Sequence, residues 1–195
     1  VTARRLDFEL PDVVVQEVPT RHYPEGSLAA HLIGYVGEAS DQQMAVEGVP
    51  AGSIVGQFGV ERVYNQMLMG GDGARRVVVN SMGREIRPIE EIPPVEGRRI
   101  KLSLNYELQR AAEDAFAAHD HWGSAVVLDP RTGDVLTMTS LPAFDPNSFA
   151  TGIDRKSWSD LNTDPLRPLQ NRAIQGRYSP GSTFKIVVAT AALES

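Results

Sequence analysis

The amino-acid sequence predicts an α+β protein in two parts, and three observations support that fold class. Short β-like runs interrupted by Pro and Gly dominate the first half of the chain. A Pro-Pro-Val-Glu-Gly stretch at residues 93–97 has the composition of a hinge. Longer elements follow it, with a clear hairpin signal and an apolar final helix. We therefore expect one domain over residues 1–96 and a second over residues 97–195.

The composition fits a globular protein and excludes several classes of function. The chain has 195 residues, enough for one generous domain or two small ones. It carries 19 Lys and Arg against 25 Asp and Glu, and this net charge of −6 argues against a nucleic-acid partner. The absence of cysteine excludes disulfides, thiolate metal sites and cysteine nucleophiles.

The start of the sequence bears on the parent protein. No run of about 18 apolar residues is present, so we predict no membrane-spanning helix within the chain. The first residue is Val1 and not Met. We therefore expect the chain to begin inside a longer gene product or after processing, with any membrane anchor or signal upstream.

Turn residues and apolar spacing predict the elements of the first part. β-Branched runs bounded by turn residues predict strands at residues 13–15 and 75–80. A short helix is expected over residues 27–33, and apolar residues at helical spacing predict a longer helix over residues 59–69. The apolar face predicted for the longer helix consists of Val60, Val63, Tyr64, Met67 and Leu68.

Alternation and capping signals predict how the second part begins. Residues 98–104 alternate between polar and apolar, which predicts a half-buried strand. Asn105 suits a helix N-cap, and Glu107 in the first turn suits the positive end of the helix dipole. The apolar stripe predicted for this helix consists of Leu108, Ala111, Ala112, Ala115 and Phe116.

Proline and glycine mark the elements that follow. Residues 124–129 and 134–140 flank a Pro-Arg-Thr-Gly connection, which is a strong hairpin signal. Residues 143–166 are polar and contain prolines, so we expect a surface excursion there. A final helix is predicted to start near Ser182.

The final helix carries a candidate nucleophile and a candidate base. Pro180-Gly181 leads into Ser182, and Lys185 follows three positions later, which on a helix places both side chains on one face. A serine hydroxyl is a poor nucleophile until a base accepts its proton. Burial among Phe184 and the apolar residues that follow would lower the pKa of the lysine and let it act as that base. Ser182 and Lys185 are therefore the predicted catalytic residues.

Ser-x-x-Lys alone is common by chance, but several ordered motifs surround it. It is the acylation motif of penicillin-binding proteins and class A β-lactamases. Residues 171–185 (N-R-A-I-Q-G-R-Y-S-P-G-S-T-F-K) resemble the active-serine segment of class B penicillin-binding proteins, and residues 125–147 resemble the opening strands of their transpeptidase domain. Residues 59–73, 21–24 and 31–36 resemble motifs of their non-catalytic pedestal domain, which is of the dimerisation type. The resemblance covers most of the chain and is strongest to the elongation-type members.

The resemblance implies a fold and a reaction. Residues 1–96 would form the pedestal, and residues 97–195 would form the first part of a transpeptidase domain with an antiparallel sheet. Ser182 would attack the penultimate D-Ala of a peptidoglycan stem peptide, with Lys185 as the base and the Ser182 N–H as one oxyanion donor. The acyl-enzyme would then pass to an amine of a neighbouring stem. β-Lactam antibiotics would acylate the same serine, and no cofactor or metal is implied.

The resemblance also implies a location, partners and an incomplete site. An upstream anchor would hold the parent protein in the plasma (inner) membrane, facing the periplasm or cell exterior. The pedestal would contact a SEDS-type glycan polymerase and other elongation-complex proteins. The second and third motifs of the family, Ser-x-Asn and Lys-Thr-Gly, lie downstream of the serine helix and are absent here, so we expect this piece to be inactive alone. Asn105 stands where the family often has Asp, and both residues cap helices well.

Other classes of function remain open beside this one. A serine β-lactamase or a β-lactam sensor shares Ser-x-x-Lys but would lack the long first domain, and a docking-only module would not catalyse at all. A metal site at His119 and His121 is disfavoured, because residues two apart on a helix diverge. Glycine-rich residues 70–73 predict a turn and not a phosphate loop. A group of arginines is expected to face solvent: Arg75, Arg76, Arg84, Arg87, Arg98 and Arg99.

Overall fold

The computed structural model of the protein describes residues 20–83 and 85–194, and it confirms the α+β architecture. Within these residues, three two-stranded antiparallel sheets alternate with short helices. The strand predicted at residues 13–15 lies outside the described part of the chain.

The first sheet consists of two antiparallel strands that are joined through a short helix. The first elements are, in order, helix α1 (Ala30–Ile33), strand β1 (Val36–Glu38), helix α2 (Asp41–Glu47) and strand β2 (Ile54–Gly56). The expected helix over residues 27–33 exists only in its second half, because Ala29 has a left-handed φ of 53° that an α-helix does not contain. Ser40 and Gln43 form a capping box at the start of α2.

The helix predicted over residues 59–69 forms, but it is broken in the middle. Helix α3 (Gly59–Val63) ends at Tyr64, and helix α4 (Asn65–Met69) begins directly after it. The predicted apolar face is wrong, because Val63 is 75% exposed and Tyr64 is 42% exposed. The residues that these two helices bury are polar.

Hydrogen bonds explain why the polar face of α3 and α4 turns inward. Glu61 accepts from Arg21 at 2.8 Å and from the Tyr23 hydroxyl at 3.3 Å. Asn65 Oδ1 accepts from the backbone N–H of Gly56 at 2.8 Å. A Cβ on Gly56 would lie 2.0 Å from the carbonyl oxygen of Glu61, so only glycine permits this approach. Burial and the neighbouring Glu61 raise the pKa of Tyr23, which keeps its hydroxyl a donor.

The second sheet is an exposed hairpin, and it confirms the strand predicted at residues 75–80. Strand β3 (Ala74–Val79) pairs with strand β4 (Glu85–Ile92). Arg75 and Arg76 face solvent as expected. They form ion pairs across the hairpin with Glu85 at 2.8 Å and Glu90 at 3.3 Å, respectively. Pairs this exposed contribute little to stability.

The segment at residues 93–97 is fixed against the end of α4. Gly71 and Val95 exchange two backbone hydrogen bonds of 2.9 Å. Gly97 lies so close to the carbonyl oxygen of Leu68 that a Cβ would be 2.0 Å from it. The prolines and glycines expected to form a hinge instead let the chain pass close to residues 68–71, because such residues suit tight turns and close backbone contacts.

The strand predicted over residues 98–104 is not formed, although its alternation is real. Ile100, Leu102 and Leu104 are half-buried, while the residues between them are exposed. The segment is extended, but its backbone reaches the next sheet only at its end, through the bond from Asn105 N to Leu136 O of 2.9 Å. A strand needs a ladder of such bonds, which alternation alone does not supply.

Helix α5 (Tyr106–Ala118) begins at Asn105 as predicted. The Asn105 side chain accepts from the N–H of Leu108 at 3.0 Å. The predicted stripe is mostly wrong, since Leu108, Ala111 and Ala115 are exposed and only Ala112 and Phe116 are half-buried. Gln109, next to Leu108, is 1% exposed. The burial of Gln109 sets the rotation of the helix.

Gln109 is buried because its amide pairs with a strand backbone. Its Oε1 accepts from Met138 N at 2.8 Å, and its Nε2 donates to Met138 O and to Thr139 Oγ1, both at 3.2 Å. Its Nε2 also donates to Glu113 at 2.7 Å. A fully bonded amide is stable in the interior, so it competes successfully with an apolar side chain for this place.

The third sheet is the predicted hairpin. Strand β5 (Gly123–Leu128) pairs with strand β6 (Val135–Leu141), and β6 packs against α5. The connection ends at Gly133, whose φ of 80° favours glycine.

The region expected to be a surface excursion, residues 143–166, supplies the centre of the core. Phe144 and Phe149 are 4% and 6% exposed and pack with Ala30. Tyr35 stacks on Phe149 with ring centroids 4.1 Å apart. Phe149 lies on a short helix, α6 (Asn147–Ala150), and the next helix, α7 (Arg155–Thr163), packs Trp158 and Leu161 against the same cluster. The expectation is wrong for residues 144–149 and correct for most of residues 151–166, which are exposed. Average polarity hides the two buried aromatic residues.

Residues 21–35, which we call the strap, are held by side chains from the second half of the chain. Asn147 accepts from Tyr23 N and donates to Tyr23 O, both at 2.9 Å. Glu113 accepts from the N–H of Ala29 at 3.0 Å. His31 is 4% exposed, and its ring packs edge-on against Phe144. The strap is therefore part of the same core as residues 113–171.

Replacement of Phe149 by Ala is expected to lower the free energy of unfolding by about 3–5 kcal/mol, because it removes a buried ring that contacts three other aromatic residues. Urea denaturation followed by circular dichroism measures this. Ile89→Ala, at a position 62% exposed on β4, is the control and should change stability by less than about 0.5 kcal/mol. Equal effects of the two substitutions would contradict the assigned core.

Stability should fall as the pH is lowered below about 6.5, and His31 should cause part of that fall. Burial lowers the pKa of His31 below its ordinary value of 6.5. In that range the unfolded chain binds a proton that the folded chain does not, which costs at most about 1.4 kcal/mol per pH unit. Urea midpoints between pH 8 and pH 5 measure the slope, and His31→Gln should flatten it. His22→Gln, at an exposed position of the strap, should keep the wild-type slope.

Candidate active site

The segment that leads to Ser182 starts at a well-bonded helix cap. Asn171 is 3% exposed, and its Oδ1 accepts from the N–H of Ala173 at 3.1 Å, which caps helix α8 (Arg172–Gln175). This short helix packs against both strands of the third sheet. The chain then continues without regular secondary structure to Pro180.

Pro180-Gly181 turns the chain into a helix, as the sequence predicts. Gly181 has a left-handed φ of 53°. A single 3-10 turn (Gly181–Phe184) follows, and helix α9 (Lys185–Glu194) continues from it. Ser182 therefore lies on the 3-10 turn, and Lys185 is the first residue of the α-helix. The hydroxyl of Thr183 donates to the carbonyl of Pro180 and tightens this turn.

Ser182 and Lys185 lie on one short stretch, and both are exposed. Residues three apart in a 3-10 turn eclipse one another, so the spacing keeps the two positions on the same side. The two residues thus lie on one side of the turn, but no hydrogen bond connects the Ser182 hydroxyl to the Lys185 amine in the described part of the chain.

The burial expected for the final helix is wrong. Every described residue of α9 is exposed, and its apolar side chains are 54–89% exposed at the positions Ile186, Val187, Val188 and Leu193. An apolar sequence indicates that a helix packs against another element, but it does not indicate which element that is. The elements described here pack against one another and leave this helix uncovered.

Sequence reasoning missed the residues that hold the segment before Ser182. Ser140 is 6% exposed, accepts from Arg172 N at 2.8 Å and donates to Gln170 O at 3.2 Å. The Asn171 cap was readable in the sequence, since Asn stands directly before a short helical run. Ser140 and His31 carry no local signal, because their partners are distant in the chain.

Among residues 20–83 and 85–194, two well-formed cavities lie away from the predicted catalytic pair. One of about 410 Å³ is apolar and lies between α3 and α8, with Phe58, Val60 and Ile174 in its wall. The other, of about 570 Å³, lies beside the Arg21–Glu61 ion pair.

The histidine pair lies at the end of α5. The rings of His119 and His121 have centroids 5.9 Å apart. Among residues 20–83 and 85–194, no three potential ligands come together in a metal-binding cluster. None of the helices in the same ranges is both long enough and apolar enough to cross a bilayer.

Comparison with known families divides the chain between two profiles. The penicillin-binding protein dimerisation domain matches residues 2–102. The penicillin-binding protein transpeptidase domain matches residues 123–195.

Relatives and solved structures agree with these matches. The chain is 40% identical to the peptidoglycan D,D-transpeptidase MrdA of Escherichia coli K12, over 96% of this chain and 30% of that protein. It is 39% identical to the Acinetobacter baumannii protein of the same name, over 95% and 28% of the respective lengths. The chain thus spans about 30% of the length of these curated relatives.

Two solved structures share the fold of the chain. The complex between penicillin-binding protein PBP2 and MreC from Helicobacter pylori matches with a TM-score of 0.83 and 33% identity, over 100% of this chain and 37% of that one. Pseudomonas aeruginosa PBP2 in complex with WCK 5153 matches with a TM-score of 0.70 and 38% identity, over 89% and 35%.

The two profiles together account for the main features of the molecule. The dimerisation profile covers the strap and the first two sheets, and it spans more than half of the chain. The transpeptidase profile covers the third sheet and runs through Ser182 and Lys185. The chain therefore belongs to the penicillin-binding protein family, as a dimerisation domain followed by the start of a transpeptidase domain.

Proposed function

We propose that the chain is part of a peptidoglycan D,D-transpeptidase in which Ser182 is the nucleophile and Lys185 the general base. The observation that carries this proposal is the transpeptidase match, which runs through S-T-F-K at residues 182–185. The relatives that cover this region are named for the same activity. The exposed position of Ser182 on a tight turn supports access by a large polymeric substrate.

The proposed reaction has two halves. Lys185 accepts the hydroxyl proton as Ser182 Oγ forms a bond to the penultimate D-Ala carbonyl of a stem peptide. The Ser182 N–H donates to the developing oxyanion. The amide C–N bond breaks, and terminal D-Ala leaves with the proton. An amine of a neighbouring stem then attacks the ester, which forms the cross-link and frees Ser182. A β-lactam acylates the same oxygen, and no metal or cofactor enters either half.

The proposed domain division and setting follow the family. Residues 1–96 are the pedestal, and residues 97–195 belong to the transpeptidase domain. The parent protein is held in the plasma (inner) membrane by an upstream anchor and faces the extracytoplasmic side. The proposed partner is a protein like MreC, because a Helicobacter pylori neighbour is solved in complex with MreC. A SEDS-type polymerase is proposed by family analogy alone.

The dimerisation match favours this function over a serine β-lactamase or a β-lactam sensor. Those proteins share Ser-x-x-Lys, but the first 102 residues here match a domain found with the transpeptidases. A docking-only role is the second candidate for the chain taken alone, since Ser182 and Lys185 are exposed and no cavity described here encloses them.

A fluorescent penicillin should label the full-length parent at Ser182, and peptide mass mapping identifies the site. Ser182→Ala should abolish labelling, because it removes the nucleophile. Lys185→Met should lower the acylation rate by about 10²–10⁴-fold, the range typical of a lost general base. Ser179→Ala and Lys156→Ala are the controls, as exposed residues of the same types. Labelling at another residue would contradict the proposal.

The 195-residue chain alone should remain unlabelled under the same conditions. Ser182 and Lys185 lie in water there, and residues 186–195 contain neither Ser-x-Asn nor Lys-Thr-Gly. Mass spectrometry of the intact chain after incubation measures this, with the full-length parent as the positive control. Stoichiometric labelling of the isolated chain would show that residues 1–195 contain a complete acylation site.

A further inference from the structure

Residues 166–171, which we call the cradled loop, lie directly before helix α8 and the segment that carries Ser182. The loop is irregular, and Arg167 within it has a left-handed φ of 45°. Four of its backbone carbonyls accept hydrogen bonds from side chains, namely those of Leu166, Arg167, Pro168 and Gln170. A loop held in this way has a fixed shape despite the lack of regular structure.

Three different elements supply the donors. The guanidinium of Arg172 donates to Leu166 O and to Arg167 O, the latter at 3.3 Å. Ser140, on strand β6, donates to Gln170 O at 3.2 Å. His31, on helix α1 of the strap, bonds Pro168 O through Nε2 at 2.7 Å. Because a carbonyl oxygen only accepts, the His31 ring must carry its proton on Nε2.

His31 differs from the other two donors in its origin and in its second contact. It lies 137 positions from Pro168 in the chain, within the region that matches the dimerisation domain. Its backbone carbonyl also accepts from Asn171 Nδ2 at 3.3 Å. One residue of the strap therefore holds the cradled loop at Pro168 and again at Asn171. Both contacts are buried.

The second contact connects His31 to the position of the serine segment. Asn171 caps helix α8 with its Oδ1 while its Nδ2 bonds His31. It lies eleven positions before Ser182. A shift of this cap would move the start of the segment that presents Ser182.

We propose that His31 is a positioning residue for acylation at Ser182, through which the dimerisation-domain strap fixes the origin of the serine segment. The inference rests on the proposed function. His31 touches no substrate, so it acts on the rate of the acylation step and not on binding. A displacement of about 1 Å at a reacting group is enough to slow a reaction by about 10²-fold, so a partial loss of this anchor should have a measurable effect.

The test is the kinetics of β-lactam acylation of the full-length parent in stopped-flow experiments with a fluorescent penicillin. His31→Phe keeps a flat ring against Phe144 but cannot donate to Pro168 O. Asn171→Asp keeps the oxygen that caps α8 but cannot donate to His31 O. Each substitution should lower the first-order acylation rate constant by about 10-fold. The apparent dissociation constant and the final fraction of labelled protein should stay unchanged.

The final labelled fraction separates positioning from folding. A variant that is only less well folded would label a smaller fraction at the wild-type rate. His31→Gln, whose amide is able to donate to Pro168 O, should restore the rate to within about threefold. Tyr106→Phe removes a strap contact that does not involve the cradled loop, the bond from Tyr106 to Glu25 of 2.8 Å, and should leave the rate unchanged.

A wild-type rate constant in His31→Phe and Asn171→Asp would overturn the inference, whatever the labelled fraction. Should His31→Phe not fold, the rate constant of Asn171→Asp decides alone. Absence of labelling at Ser182 in the wild type is a different result, because it would overturn the proposed function and this inference with it.

Discussion

Hydrogen bonds from buried and half-buried side chains to the backbone of the strap join the early and late parts of the chain. Asn147 bonds both the N–H and the carbonyl of Tyr23, so one amide side chain takes the place of a neighbouring strand. Glu113 and Asn171 do the same for single groups of Ala29 and His31. Buried backbone groups must be paired, so residues after 112 help to fix the strap, in addition to the contacts of Glu61 with Arg21 and Tyr23. The dimerisation and transpeptidase matches are thus separate in sequence but share one core.

This dependence on polar contacts gives the fold its specificity. The apolar cluster itself is small, with Ala30, Phe144 and Phe149 at its centre. Apolar side chains tolerate several packings, whereas an amide bonded at both ends accepts only one register. Gln109 shows the effect most clearly, since its bonds to Met138 and Thr139 fix both the rotation of α5 and its position along β6. Polar side chains therefore set the register and rotation of the elements, while the apolar cluster stabilises the arrangement without selecting it.

The reliance on polar contacts between distant residues also explains which features were predictable from the sequence. Turns, caps and the β5–β6 hairpin depend on neighbouring residues, so Asn105 and Gly133 were read correctly. Helix faces were not, because the patterns assumed that apolar residues turn inward, while Glu61 and Gln109 have distant partners that reverse the choice. The catalytic roles of Ser182 and Lys185 are predicted from a short motif with a chemical meaning. Their surroundings are not, because the contacts that hold this segment, His31 above all, come from far away in the chain.

Helix α9 is exposed to solvent, and this exposure affects whether Lys185 can act as the proposed base. An amine accepts a proton only in its neutral form, and removal from water favours that form. The turn at Gly181 and the order of Ser182 and Lys185 are already built by local sequence and by the contacts that precede them. What local sequence does not build is the dry environment, because α9 and both residues face solvent. The position of Ser182 and Lys185 and the removal of water from them therefore depend on different parts of the protein. The strap and the third sheet hold the start of the serine segment, whereas the proposed chemistry additionally requires that the apolar sides of α9 be covered.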